Sequence, residues 1–229
     1  MEFTKLSNRL DLVASFVPAG ARLLDVGSDH AYLPIALLQE GKIEAAIAGE
    51  VVEGPYQSAL QNVADNGLED KIEVRLANGL AAFEPADGIS CITIAGMGGR
   101  LIADILAAGL EKLANVSRLV LQPNNREDEL RAWLVDHDFR IVDEAILEEN
   151  EKFYEILVVE QGSQELTAKE LRFGPYLMRE QAPAFVQKWS KEVEKLAFAL
   201  EQVPVENQSA RASLEERIAQ IKEVLHVSK

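Results

Sequence analysis

Cysteine is almost missing from this chain. Among 229 residues only Cys91 occurs, which excludes an internal disulfide and a cysteine-rich zinc site. No apolar run approaches the roughly 20 residues of a membrane-spanning helix. The opening Met1-Glu2-Phe3-Thr4-Lys5-Leu6 lacks the basic-then-apolar form of a secretory leader. The expectation is a cytoplasmic protein without a membrane or metal partner. An excess of positive charge is missing too: 38 Asp and Glu stand against 23 Lys and Arg, a net charge of −15. Broad, non-specific nucleic-acid binding rests on phosphate neutralisation and is disfavoured by that balance. The deficit is uneven, however. Residues 164–229 hold ten basic and ten acidic side chains, so the whole shortfall lies in residues 1–163. A polyanionic partner would therefore need local basic patches and the C-terminal segment.

What is present is organised around Leu23 to Pro34. Leu23, Leu24 and Val26 supply a short buried strand, and Gly27 breaks it with a residue free to turn at positive φ. Ser28 and Asp29 are helix N-cap residue types, and Ala31, Leu33, Ile35 and Leu37 begin a helix expected over 31–40. Strand, glycine turn and helix N-terminus form a nucleotide-binding corner. The dinucleotide fingerprint G-x-G-x-x-G fails here, because Asp29 stands where its second glycine would be.

The pattern repeats. A first amphipathic helix is expected over 3–17, and later strands over Ala45–Val51, Ile72–Leu76, Ile89–Ala95 and Arg118–Leu121. Helices fall between them: one opens at Gly54-Pro55, one follows the Gly96-Met97-Gly98-Gly99 loop to about Leu113, and one passes through Trp133 to Asp138. Phe139–Leu147 and Phe153–Val159 read as an antiparallel hairpin. The fold class is α/β: a doubly wound, Rossmann-like sheet with an antiparallel edge. Beyond Gly162 strands cease. A helix over Thr167–Met178 broken near Gly174-Pro175, a helix from Pro183 with a stripe through Val186, Trp189, Val193, Leu196 and Leu200, and a helix over about 209–227 form a C-terminal, coiled-coil-like domain. The boundaries are 1–163 and 164–229, with the long pair expected to project as an arm.

The ligand crevice of such a sheet lies at the strand carboxyl ends, where Gly27, Glu50, Asn78, Gly96 and Asn124 all fall. Asp25 and Asp29 would repel a pyrophosphate, which argues against a nicotinamide oxidoreductase. They suit S-adenosylmethionine, whose ammonium and sulfonium groups meet acids while its carboxylate meets backbone donors. Glu50, with Val51 beside it, is placed for the ribose hydroxyls. Asn78-Gly79 suits the adenine edge, and Ala95-Gly96 the space between cofactor and substrate.

Asp25-Val26-Gly27-Ser28-Asp29-His30-Ala31-Tyr32-Leu33-Pro34, the Ala95–Gly99 loop, Gln122-Pro123-Asn124 and Lys152-Phe153-Tyr154-Glu155 resemble the bacterial tRNA adenine-N1 methyltransferases that modify adenine 22. The resemblance implies a class I methyltransferase domain with a helical tail, S-adenosylmethionine as cofactor and tRNA as partner. It implies cofactor contacts at Asp25, Gly27, Glu50, Asn78, Gly79 and Ala95. The loop after the fourth strand lacks the Asp/Asn-Pro-Pro-Tyr that orients an exocyclic amine, which agrees with a ring nitrogen as target. Asp29 is then expected to act electrostatically or as a proton acceptor, with His30 and Tyr32 positioning the base. Met97 is expected at the base, Gln122 and Asn124 among the substrate contacts, and Arg100, Lys5 and Arg9 at tRNA phosphates, together with Lys188, Lys191 and Lys195 of the tail. The protein is expected to be a monomer. A methyltransferase for a small molecule or protein, dimerising through its tail, stays open as the alternative.

Overall fold

A computed structural model of the chain describes residues 4–226. One mixed sheet contains β1 (Ala21–Val26), β2 (Ile43–Glu50), β3 (Ile72–Leu76), β4 (Cys91–Met97), β5 (Arg118–Pro123), β6 (Phe139–Glu149) and β7 (Lys152–Gln161). Their spatial order is β3-β2-β1-β4-β5-β7-β6. The first five run parallel, and β7 runs antiparallel to both β5 and β6. The hairpin turns through Asn150 and Glu151, both at positive φ, which matches the twist of the flanking strands.

Helices α1 (Asn8–Phe16), α2 (Tyr32–Gln39) and α3 (Glu53–Asp65) cover one face of the sheet, and α4 (Gly99–Ala107) and α5 (Glu127–Asp136) cover the other. Burial from both sides explains why β1 and β4 read as continuous apolar runs rather than alternating ones. Cys91 is fully buried in β4, and burial pushes its thiol up to about 12.

Some boundaries differ from expectation. The first helix starts at Asn8, because the Ser7 side chain accepts the Leu10 amide and caps it there; residues 1–3 lie outside those described. Strand β2 ends at Glu50, leaving Val51 in the bend beyond it, and β4 continues through Met97 by a register shift between Ala95 and Met97. Helix α4 stops at Ala107, and Leu110–Asn115 is a separate 3-10 turn.

The C-terminal segment forms α6 (Ala168–Phe173), α7 (Pro175–Glu180), α8 (Pro183–Gln202) and α9 (Gln208–His226); residue 227, expected within the last helix, lies outside those described. Phe173, Leu177, Phe185, Trp189, Leu196, Ile221 and Val224 bury together with Ile146 of β6, so the near half of the α8–α9 pair is seated on the hairpin. Only the distal end projects, with Phe198 and Val205 exposed. Phe185 replaces Val186 on the buried stripe, leaving Val186 exposed.

A buried ionic network ties this segment to the sheet. Arg131 of α5 is fully buried and pairs with Glu144 of β6 at 2.7 Å and Glu155 of β7 at 2.5 Å. Glu144 also accepts the Tyr176 amide at 2.9 Å, and Glu155 accepts from Lys188 of α8 at 2.7 Å. Glu127 takes a second contact from Lys188 at 3.1 Å. Gly174 threads past this cluster, where a Cβ would lie 2.7 Å from Glu144 and 2.8 Å from Arg131.

Candidate functional site

The crevice is built on the turn that follows β1. Gly27 sits at φ +66°, and a Cβ there would collide with the Met97 methyl group. The amides of Gly27 and Ser28 both donate to the Gly49 carbonyl, at 2.9 and 3.2 Å. Then Asp29, His30 and Ala31 take φ values of 42°, 71° and 59°, three consecutive non-glycine residues in the left-handed region. Each such residue costs on the order of 1–3 kcal/mol and persists only when its surroundings enforce it. Two contacts enforce it here. The Asp29 amide donates to Glu50 Oε1 at 2.5 Å, and Asn62 of α3 donates to the His30 carbonyl at 3.0 Å.

This turn overturns the expected cap. The N-cap of α2 is Ala31, with no side-chain cap, because the left-handed turn carries Ser28 and Asp29 away from the first helical amides. Ser28 instead donates its hydroxyl to Asp25 Oδ2 at 2.5 Å, and Thr93 of β4 donates to Asp25 Oδ1 at 2.6 Å. Both oxygens of Asp25 therefore have protein partners, so the side chain braces the turn rather than presenting a free acceptor.

The electrostatics are unusual. Asp25 and Glu50 are 4% and 5% exposed, and neither forms an ion pair among the described residues. Burial holds the Asp25 carboxyl above its usual range, despite hydrogen bonds from Ser28 and Thr93 and the nearby charge of Arg9. Burial also raises Glu50; the Asp29 amide opposes this, and the neighbouring charges of Asp25 and Asp29 add to it. The Asp29 side chain is 81% exposed, with His30 Nε2 at 3.4 Å from Oδ1. Two buried acids and one exposed acid thus surround a turn whose glycine admits close approach. A ligand with fixed positive charge and hydroxyl donors relieves this arrangement, and a pyrophosphate worsens it. The donor set fits S-adenosylmethionine.

The neighbouring strand ends complete the wall. Asn78 is exposed just beyond β3, and Gly79, at φ +55°, is packed so that a Cβ would lie 2.9 Å from Ile105. Near the end of β4, Gly96 is exposed at φ +78° and is held by a clamp. The Gln122 side-chain carbonyl accepts from the Gly96 amide at 3.0 Å and from Arg9 at 2.6 Å. Asn124 donates to the Gly96 carbonyl at 2.7 Å, its amide donates to the Met97 carbonyl at 2.7 Å, and Gln122 donates to Asn124 at 3.1 Å. Arg9 also lies over the Tyr154 ring, 5.6 Å from its centroid.

Several expected substrate contacts are placed otherwise. Gln122 is fully buried with both ends of its amide engaged, so it shapes the loop and is not open to a substrate. Arg9 is committed to the same clamp. Arg100, at the start of α4, is held by Glu129, with a second contact at 2.9 Å. Lys5 is exposed ahead of α1 and has no hydrogen bond or ion pair to crevice residues among those described. Val51 is exposed beside Glu50, and Tyr32 is exposed with its ring centroid 5.3 Å from that of His30. Lys188 belongs to the buried network, where Glu155 and Glu127 outweigh burial and hold its ammonium above the usual range. Ala95, Met97 and Asn124 stay at the open end.

Thr93 and Asn62 have no place among the residues singled out from the sequence, and Tyr154 stands there only within the Lys152–Glu155 motif, without a role. Thr93 carries a signal in retrospect, as a hydroxyl inside the apolar run Cys91–Ile94. Asn62 carries none, and for Tyr154 the motif gives no position; only the fold brings them to the turn and the clamp.

Comparisons with known proteins show the family. The family described as TrmK, tRNA (adenine(22)-N(1))-methyltransferase, matches residues 23–223. The tRNA (adenine(22)-N(1))-methyltransferase of Bacillus subtilis strain 168 is 39% identical over 98% of this chain and 99% of its own. A solved structure of Streptococcus pneumoniae Sp1610, a candidate tRNA (m1A22) methyltransferase, superposes with a TM-score of 0.95 at 67% identity, covering 97% of this chain and 100% of that one. The same protein in complex with S-adenosyl-L-methionine superposes at 0.90, with 66% identity over 97% and 100% of the two chains.

Proposed function

The chain belongs to the tRNA (adenine(22)-N(1))-methyltransferase family, and from that premise we propose how its crevice performs the reaction. It transfers a methyl group from S-adenosylmethionine to N1 of adenine 22 in tRNA. The observation that carries this reading is the unpaired, buried Glu50, which holds the Asp29 turn beside the open Gly96–Met97 loop.

When bound, S-adenosylmethionine supplies the methyl group and leaves as the neutral thioether. Glu50 keeps one carboxylate oxygen for the ligand's ribose hydroxyls while the other fixes the Asp29 amide. Gly27 admits the ligand's amino-acid end to the backbone, and Asp25 supplies negative field from behind the turn. Asn78 and Gly79 border the adenine, with Val51 beside Glu50, and Ala95 and Gly96 separate cofactor from target base.

The target N1 already has an in-plane lone pair, so the protein's task is alignment more than activation. N1 lies on the Watson–Crick edge, and the base must leave its pair or stack to reach the crevice. Met97 then beds the ring, Asn124 faces its edge, and His30 and Tyr32 form the opposite side. Methyl transfer moves the positive charge from sulfonium to adenine, and the exposed Asp29 carboxylate stabilises that charge as it develops. The helical segment 164–229 serves as the tRNA-binding domain. The reaction takes place in the cytoplasm, with the protein as a monomer; among the described residues no helix is long and apolar enough to cross a membrane.

The test is to methylate unmodified tRNA with purified protein and map the product. One methyl at N1 of adenine 22 is expected, lost when that position is guanine. Methylation that continues unchanged on the guanine-22 transcript contradicts the assignment.

A further inference from the structure

A second cavity adjoins the crevice. Its volume is about 760 Å³, and it lies between the start of β7, the first turn of α5 and the helices α6, α8 and α9. We propose that this cleft binds a nucleotide of tRNA flanking the target adenine, its phosphate against Arg172 and Arg217 and its base against Phe153 and Trp189. This rests on the tRNA reading above and extends it to a subsite separate from the cofactor corner.

Charge is the first argument. Six cationic side chains line the cleft against four acidic ones, in a chain whose net charge is −15. Two of those acids, Glu127 and Glu155, are engaged by Lys188, while Lys191 and Lys195 face Glu148 and Glu192 at 3.2 and 3.7 Å, so the site rests on the arginines. Arg172 forms no ion pair among the described residues; its one side-chain hydrogen bond goes to Gln220 at 2.7 Å, and its guanidinium lies over Phe173 and Trp189, 4.9 and 5.7 Å from the ring centroids. Arg217 has only the distant Glu192, at 3.6 Å. Burial lowers the basicity of Arg172, and the charge of Arg217 lowers it further, so the two cations oppose one another. An anion between them removes that opposition.

The walls are the second argument. Trp189 is 8% exposed, lines the cleft, and its indole N–H has no hydrogen-bond partner. A buried donor left unpaired is costly and calls for an acceptor. Phe153 is half-buried, with the Lys191 ammonium 4.9 Å from its ring centroid. Aromatic faces beside cations are how single-stranded nucleotides are held without base-edge readout. Position is the third argument. Asn124 and Tyr154 line this cleft and also belong to the clamp at Gly96, so the cavity begins where the target base would end. A flipped adenine at Met97 leaves its neighbour on the strand within reach of the cleft.

The experiment uses full-length protein and tRNA. Arg217→Gln alone and Arg172→Gln/Arg217→Gln together are compared with wild type for tRNA affinity across salt concentrations and for S-adenosylmethionine affinity. The double variant is expected to bind tRNA at least tenfold more weakly, with the slope of log affinity against log salt reduced by about 1–2. Its cofactor affinity stays within twofold. Phe153→Leu is expected to raise the KM for tRNA fivefold or more with the salt slope unchanged, as a base contact requires. Wild-type tRNA affinity and slope in Arg217→Gln and in a folded double variant overturn the subsite while leaving the methyltransferase reading intact. Failure of the wild-type protein to methylate tRNA overturns that reading itself.

Discussion

The molecule contains two buried carboxylate clusters of opposite design. At the cofactor corner, Asp25 and Glu50 lie under the surface with hydroxyls and an amide for partners and no ion pair among the described residues. Beneath the helical tail, Glu144 and Glu155 are as deeply buried but are neutralised by Arg131 and Lys188. The energetic consequences differ. A buried acid without a cation is a cost held for a ligand, whereas a buried acid with its cation joins elements together. At the corner both carboxyls are pushed above their usual range. In the network, burial also raises Glu144 despite Arg131, but at Glu155 Arg131 and Lys188 together prevail and hold it below that range. Absence of a partner marks the site, and presence of one marks the joint.

The largest expected effect breaks the joint. Arg131→Met leaves Glu144 and Glu155 without their main cation, and the loss is expected to be about 3–5 kcal/mol. For a chain of this size that lowers the melting temperature by roughly 10 °C. Thermal melts with and without cofactor check it, and an unchanged melting temperature would dissolve the distinction between the clusters. Next comes Asp29→Ala, which removes an exposed acid and leaves the amide that meets Glu50. Turnover is expected to fall at least tenfold with the melting temperature preserved; a loss under about threefold removes the electrostatic role and leaves Asp29 as a turn residue. The smallest effect is on pH. Because burial holds the corner carboxyls above the usual range, they keep their protons to higher pH than ordinary carboxylates do and ionise as pH rises further. S-adenosylmethionine affinity should therefore rise with pH through that range and then level, more steeply than for S-adenosylhomocysteine, which lacks the sulfonium charge. Parallel profiles from paired titrations would show that the acids do not read that charge.

The sheet and the position of the crevice were legible in the residues, because buried parallel strands leave unbroken apolar runs that end in Gly27, Glu50, Asn78 and Gly96. The break at Gly174-Pro175 and the helix start at Pro183 were equally plain, since proline and glycine act locally. The left-handed path of Asp29 to Ala31 was not legible. Asp and His tolerate that region better than most side chains, but Ala31 does not, and the run of three is fixed by Glu50 and Asn62 from other elements. For the same reason Gln122 and Arg100 passed for substrate contacts. Their residue types suit RNA, and only the fold shows Gln122 sealed in the Gly96 clamp and Arg100 held by Glu129. Lys188 read as one of several exposed tail lysines, until the hairpin beneath it supplied Glu155.

The direct test of the contrast is a pair of matched substitutions, Glu50→Gln and Glu155→Gln, each examined by S-adenosylmethionine titration and by thermal melting. Glu50→Gln is expected to lose cofactor affinity by tenfold or more while melting within a few degrees of wild type, and Glu155→Gln to do the reverse. Wild-type affinity in a folded Glu50→Gln protein would contradict the account.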